Sequence, residues 1–235
     1  MPLFGLFIDP LYIAILAPAL ILSAYASFKV RSTFAKYSRE PVHSGMSGAD
    51  VARAILRKNG IMNVRVETSQ GALSDHYDPG EKVVRLSPDV YQGRSVASVA
   101  VAAHEVGHVL QDAHEYAPMV LRSAAVPVAR FGSSMSWIFI IGGFLLQFIQ
   151  LAYIGVILFL GVVLFQLVTL PVEFNASRRA KETLLSTGLV DQAQAGGVSK
   201  VLNAAAMTYV AAALSAVLTL LYYLIRLGLL GGRDD

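Results

Sequence analysis

The sequence predicts an α-helical integral membrane protein of about four transmembrane helices with a small α+β cytoplasmic domain. Three observations carry that expectation. Of 235 residues, 55% are hydrophobic and only 15% charged, too apolar a balance for an ordinary soluble domain. The apolar residues gather in long runs, while the charges gather in the stretches between them. A single segment, residues 95–110, breaks this division: it is apolar or small all round yet holds His104, Glu105 and His108. The net charge of +3 is small and forms no basic stripe, which excludes nucleic acid as a partner. There is no cysteine, so disulfides and thiolate metal sites are excluded as well.

Residues 11–28 form a nearly uninterrupted apolar run that can be extended back toward Leu3 past Asp9 and Pro10. At ~1.5 Å per residue it crosses most of a bilayer, and residues 1–28 are read as span one. Ala24-Tyr25-Ala26 resembles a signal-peptidase site, but no Lys or Arg precedes it, so the helix is expected to stay as an anchor.

Residues 29–133 carry most of the charges and read as a soluble domain. Ser47 with Asp50 three residues on makes a capping box for a helix striped by Val51, Ala54 and Ile55 and closed by Gly60. Val64 and Val66 alternate with polar neighbours, and Asp78-Pro79-Gly80 makes a turn before a second strand at 82–86. The apolar helix of residues 95–110 follows.

From 137 to 172 the chain is apolar for about twice one crossing, with Gln147 and Gln150 near its middle. Residues 134–172 are therefore read as spans two and three, a hairpin with a very short turn. Residues 173–204 form a cytoplasmic helical segment, 205–230 a fourth span ending near Tyr222 and Tyr223, and 231–235 a tail. Arg226, near that helix end, reads as snorkelling to the interface. Lys29, Arg31, Lys36 and Arg39 follow span one, and Arg178, Arg179 and Lys181 follow span three, whereas the turn between spans two and three is uncharged. The excess of basic residues places both flanking segments in the cytoplasm and both termini outside, in a multi-pass cell (plasma or inner) membrane protein.

His104-Glu105-Val106-Gly107-His108 is an H-E-x-x-H motif. On a helix, positions i and i+4 share a face, so two imidazoles can reach one metal ion, and Glu105, about 100° round the helix, can take a proton from an attacking water. A structural pair of core histidines is the plainer alternative, but it leaves the glutamate in so apolar a stretch as a costly burial. Gly107 costs roughly 1 kcal/mol against alanine in a helix, which implies a close approach by another element. Without cysteine, a catalytic zinc needs a third nitrogen or oxygen ligand. Two residues qualify. His114 has metzincin spacing, although Gln111 stands where that pattern has glycine. Glu173 is a carboxylate where a greasy helix leaves the membrane, in need of a partner such as a metal, or else of Arg178 or Arg179.

The strings LSDHYDP from Leu73, VRLSP from Val84, RSVASVAVAAHEVGH from Arg94 and LPVEFNASRRA from Leu170 resemble the YugP family of membrane zinc metallopeptidases, and the likeness runs from the first span to the last. Wider relatives are gluzincins such as the HtpX-like membrane proteases, in which a glutamate of a later helix, in an E-x-x-x-D pattern, completes the zinc site. The resemblance implies a zincin-like cytoplasmic domain, one zinc ion held by His104, His108 and Glu173, and Glu105 as general base. Ser177 stands where the wider relatives have an aspartate that orients a ligand histidine, and Asn175 is another candidate for that task. The resemblance also places Val83, Val84, Arg85 and Leu86 at a strand edge that could hold an extended peptide. The expected partners are the lipid bilayer and a protein or peptide substrate, membrane proteins included, with an oligomer or accessory protein left open. For the oxyanion, His76, Tyr77, Tyr116, Arg178 and Tyr209 have suitable chemistry. Against the peptidase stand a catalytically silent scaffold or regulator of membrane proteolysis, an intramembrane-cleaving protease, and a transporter, for which the spans hold too few charges.

Overall fold

The computed structural model describes residues 9–71 and 73–230; the tail at 231–235 and the extension of span one toward Leu3 lie outside them. Its elements in chain order are α1 (Pro10–Tyr37), α2 (Gly48–Lys58), β1 (Arg65–Thr68), β2 (His76–Asp78), β3 (Val83–Leu86), α3 (Pro88–Gln92), α4 (Val96–Ala113), α5 (Ala117–Leu145), α6 (Ile149–Ser186) and α7 (Gln192–Arg226). Among the described residues, α1, α5, α6 and α7 are each long and apolar enough to cross a membrane. The protein is thus mostly helical, with four candidate spans and one small sheet. The chain divides into two compact units.

One unit takes its described residues from 9–25, 121–170 and 208–230. Its helices turn exposed Leu20, Ile21, Ile157 and Leu164 outward, as lipid-facing surfaces do. The hairpin of α5 and α6 is tight because glycines line it. A Cβ on Gly143 would sit 2.5 Å from the Ala152 nitrogen, and one on Gly155 would sit 2.9 Å from the Ser136 carbonyl, the small-residue packing on which membrane helices rely. The turn spans residues 146–148, with Gln147 in the left-handed region at φ 52°. Helix α5 begins at Ala117, well ahead of the apolar run, since Arg122, Pro127 and Arg130 interrupt its hydropathy without ending the helix. Arg226 does not simply snorkel: its Nε lies 3.4 Å from the Asp9 carboxylate, to which the Tyr222 hydroxyl donates at 3.0 Å.

The other unit comprises 26–71, 73–120 and 171–207. Helix α2 has its capping box, Asp50 N–H donating to Ser47 Oγ at 3.2 Å and Ser47 N–H to Asp50 at 3.2 Å, and Gly60 follows at φ 69°. The three strands lie in the order β1-β3-β2, with β3 parallel to β1 and antiparallel to β2. Val83, Val84 and Leu86 of β3 are fully buried, as expected of a strand covered on both faces. The Asp78 carboxylate closes the turn into β3 by accepting from the Gly80 and Glu81 amides. Helix α4 is the centre of this unit: its core joins Val96, Val99, Ala103 and Val106 to Val51 and Ile55 of α2, Val84 of β3, Val172 and Leu184 of α6, and Val198 of α7.

Candidate metal centre

Helix α4 opens at Ser95, whose hydroxyl accepts from the Ser98 amide. It is built of Ala and Val, small enough for neighbouring helices to close on every side. A close approach falls at Gly107, where an added Cβ would meet the Ala176 carbonyl oxygen of α6 at 2.6 Å. That glycine lets the backbone of α6, three residues beyond Glu173, lie against the motif.

At this crossing His104 and His108 stand one turn apart, ring centroids 4.8 Å and planes 83° to each other. Glu173, 1% exposed, faces both: its Oε2 lies 3.2 Å from His104 Nε2 and 3.6 Å from His108 Nε2. Among the described residues these three form the one cluster of His or carboxylate groups able to share a metal ion. Two donors at about 2.0–2.1 Å from a tetrahedral centre lie roughly 3.3–3.4 Å apart; the separations of Glu173 Oε2 from the two imidazole nitrogens fall on either side of that value, and one donor atom from each of the three residues lies within 4.8 Å of the others.

The far side of each ring is also held. Ser177 Oγ lies 3.2 Å from His104 Nδ1, and Gln111 Oε1 lies 3.0 Å from His108 Nδ1, so each Nε2 is left to face Glu173. Ser177 therefore lies behind the His104 ring. Asn175 touches Gln111, not His104 or His108: its Oδ1 accepts from Gln111 Nε2 at 3.0 Å and from Arg179 Nε at 2.8 Å. The sequence alone gives Gln111 no role beside His108, although a signal exists. Residues 104, 108 and 111 fall on one stripe of an otherwise apolar helix. Glu105 is nearly buried, at 8% exposure, on the turn between the histidines.

Other candidates lie elsewhere. His114 caps α4, its Nδ1 bonded to the Leu110 carbonyl, and is not in the cluster. The Tyr77 hydroxyl donates to Asp112 at 2.6 Å, His76 Nδ1 bonds the Ser74 carbonyl, and the Tyr116 ring lies under Arg179. The strand edge needs correction. Val83, Val84, Arg85 and Leu86 form the middle strand, all four paired with β1 and the first three also with β2, so residues 83–85 have no open side for a peptide.

Two histidines and a carboxylate converging from two helices are the donor set of a two-histidine-one-carboxylate metallohydrolase. Residues 12–228 match the family described as "putative neutral zinc metallopeptidase", and the chain belongs to that family. It is 49% identical over 225 residues to the "putative membrane protease YugP" of Bacillus subtilis (strain 168), a match covering 96% of this chain and 99% of the relative. No solved structure matches the chain. Family and site together support a membrane protein of the zinc peptidase class.

Proposed function

We propose that this protein is a membrane-anchored zinc metalloendopeptidase of gluzincin type, hydrolysing peptide bonds of protein substrates at the cytoplasmic membrane surface. The observation that carries the proposal is the convergence of His104, His108 and Glu173, one donor atom from each within 4.8 Å of the others, with both Nδ1 atoms engaged behind them. These three residues would hold one zinc ion, which when bound supplies a Lewis acid for the scissile carbonyl and makes water easier to deprotonate. Glu105 is the general base: it takes the proton of the attacking water and returns it to the leaving amine. Ser177, within hydrogen-bond reach of His104 Nδ1, would steady that ring from behind.

For the peptide, the open edges of the sheet are β1 and β2. Strand β2 is the better docking edge, since Tyr77 ties it to the motif helix through Asp112. An extended segment added there would gain main-chain hydrogen bonds. The basic flanks after spans one and three support the cytoplasmic placement.

The test is zinc content of the purified protein together with proteolysis of an unfolded membrane substrate. Glu105→Gln should keep zinc and lose cleavage by about 10²–10⁴-fold, whereas Glu173→Ala should lose zinc and His114→Ala should keep it. Absence of zinc from the wild type, or unchanged cleavage by Glu105→Gln, refutes the enzyme.

A further inference from the structure

Gln111 is fully buried, at 0% exposure, near the end of an apolar helix. A primary amide there costs several kcal/mol unless its donors and acceptor are met. All are met, and by partners of one kind of logic. Its Nε2 donates to the Val172 carbonyl at 2.7 Å and to Asn175 Oδ1 at 3.0 Å, both on α6. Its Oε1 faces His108 Nδ1 at 3.0 Å.

The orientation of this amide follows from its partners. The Val172 carbonyl can only accept, so the NH2 end must point at α6. Asn175 strengthens the choice, because its Oδ1 also accepts from Arg179 Nε at 2.8 Å and is thereby fixed as the oxygen. With both Gln111 hydrogens committed to α6, Oε1 can only accept from His108. The ring proton of His108 then sits on Nδ1, and its lone pair sits on Nε2, 3.6 Å from Glu173. One side chain thus reads the position of α6 and sets the tautomer of a residue on α4. Val172 is the neighbour of Glu173 in the chain, so the helix turn that sets the tautomer is the turn that delivers the carboxylate.

We propose that Gln111 is a positioning residue of the metal site, accepting the Nδ1 proton of His108 so that Nε2 is presented as a ligand only when α6 is docked. This rests on His104, His108 and Glu173 being the zinc ligands. The experiment measures zinc affinity by chelator competition, the visible spectrum of the cobalt-substituted protein, and thermal unfolding of the metal-free protein, for wild type, Gln111→Met and Gln111→Glu. The methionine has a similar length and offers no acceptor of comparable strength; the glutamate restores the acceptor but not the donors to α6. Zinc affinity should fall about 10–100-fold in Gln111→Met, with an altered cobalt spectrum, and return to within a few-fold of wild type in Gln111→Glu, even where the metal-free protein melts lower. Equal losses of affinity in the two variants, or wild-type affinity and spectrum in Gln111→Met, overturn the proposal. Should Gln111→Met fail to fold, Gln111→Glu decides: near wild-type affinity supports the acceptor role and a loss of tenfold or more overturns it. A wild type that binds no zinc refutes the site itself, a result distinct from all of these.

Discussion

Gly107→Ala puts one methyl group into the crossing that builds the site. The added Cβ would sit 2.6 Å from the Ala176 oxygen and 3.2 Å from both its carbonyl carbon and Cα. These are backbone atoms on a helix and cannot rotate aside. Carbon and oxygen in ordinary contact lie about 3.3–3.6 Å apart, so α4 and α6 must separate by roughly 0.8 Å. Alanine regains about 1 kcal/mol of helix propensity, while overpacking costs about 1–3 kcal/mol, so the metal-free protein should lose at most about 2 kcal/mol. The metal site should suffer far more. His104 and His108 ride on α4 and Glu173 on α6, three residues from Ala176, and zinc bonds tolerate only about 0.2 Å of error.

Zinc affinity should therefore drop at least a hundredfold. At a fixed free zinc concentration well above both dissociation constants, a hundredfold weaker site loses about 2.7 kcal/mol of zinc-linked stabilisation. Thermal unfolding with and without zinc reads both terms in one experiment. Gly196→Ala is the control: no atom lies within 4 Å of a Cβ added there, so zinc binding should not change and stability should hold or rise slightly. If Gly107→Ala binds zinc as wild type does, the close approach does not set the ligand geometry and the reasoning fails.

Ser47→Ala removes the cap of α2 and should cost about 1 kcal/mol in thermal or denaturant unfolding, without touching zinc. Hydrogen bonds from Ser47, from its side chain and then its backbone, outweigh desolvation and lower the Asp50 pKa. The unfolded chain then binds this proton more readily than the folded one, so the cap's contribution is present above the ordinary carboxylate pKa of about 3.9 and is lost as pH falls through the lower folded value. Asp50→Asn should flatten that acid limb of the stability profile; an unchanged limb refutes the assignment. Tyr77→Phe removes the donor to Asp112, which keeps Lys82 as a partner, and should cost about 0.5–1.5 kcal/mol with zinc affinity unchanged; a loss of zinc would place Tyr77 in the site. Because the chain has no cysteine, single cysteines report topology cleanly. Gln147→Cys should label with an impermeant thiol reagent from outside the cell, and Ser186→Cys only after permeabilisation; the opposite pattern inverts the orientation.

The parts of this structure that local chemistry determines were legible in the sequence. Ser47 and Asp50 cap each other within four residues, Gly60 takes a left-handed φ where α2 stops, and the histidines of an H-E-x-x-H pentapeptide share a face because helix geometry leaves no other arrangement. Gly107 was legible in a stronger sense, since an unfavourable residue in a buried helix demanded a close neighbour and Ala176 is that neighbour. Strand β2 was not legible. Three polar-flanked residues, His76-Tyr77-Asp78, show no alternation long enough to distinguish a strand from the turn they enter. The rank of β3 in the sheet was hidden for a related reason: a buried apolar strand reads the same whether one or both edges are paired, and pairing belongs to the fold.

Gln111 shows where sequence reading runs out in the site itself. Beside Asp112, at the end of an apolar helix, it looks like the return to solvent and a departure from the glycine of another metal-binding pattern. Its meaning comes from Val172 and Asn175, more than sixty positions away. An amide with both donors spent on one helix has one face left for the other, so its position on the His104–His108 stripe acquires a consequence only once α6 is in place. A buried Glu173 makes the same point from the opposite side. Alone it would be an expensive charge; opposite two imidazoles whose outer nitrogens are already engaged, it completes a donor set. Neither helix holds the site by itself, so metal binding and the docking of α6 on α4 should stabilise each other, and loosening either should be read first as lost zinc and only then as lost fold.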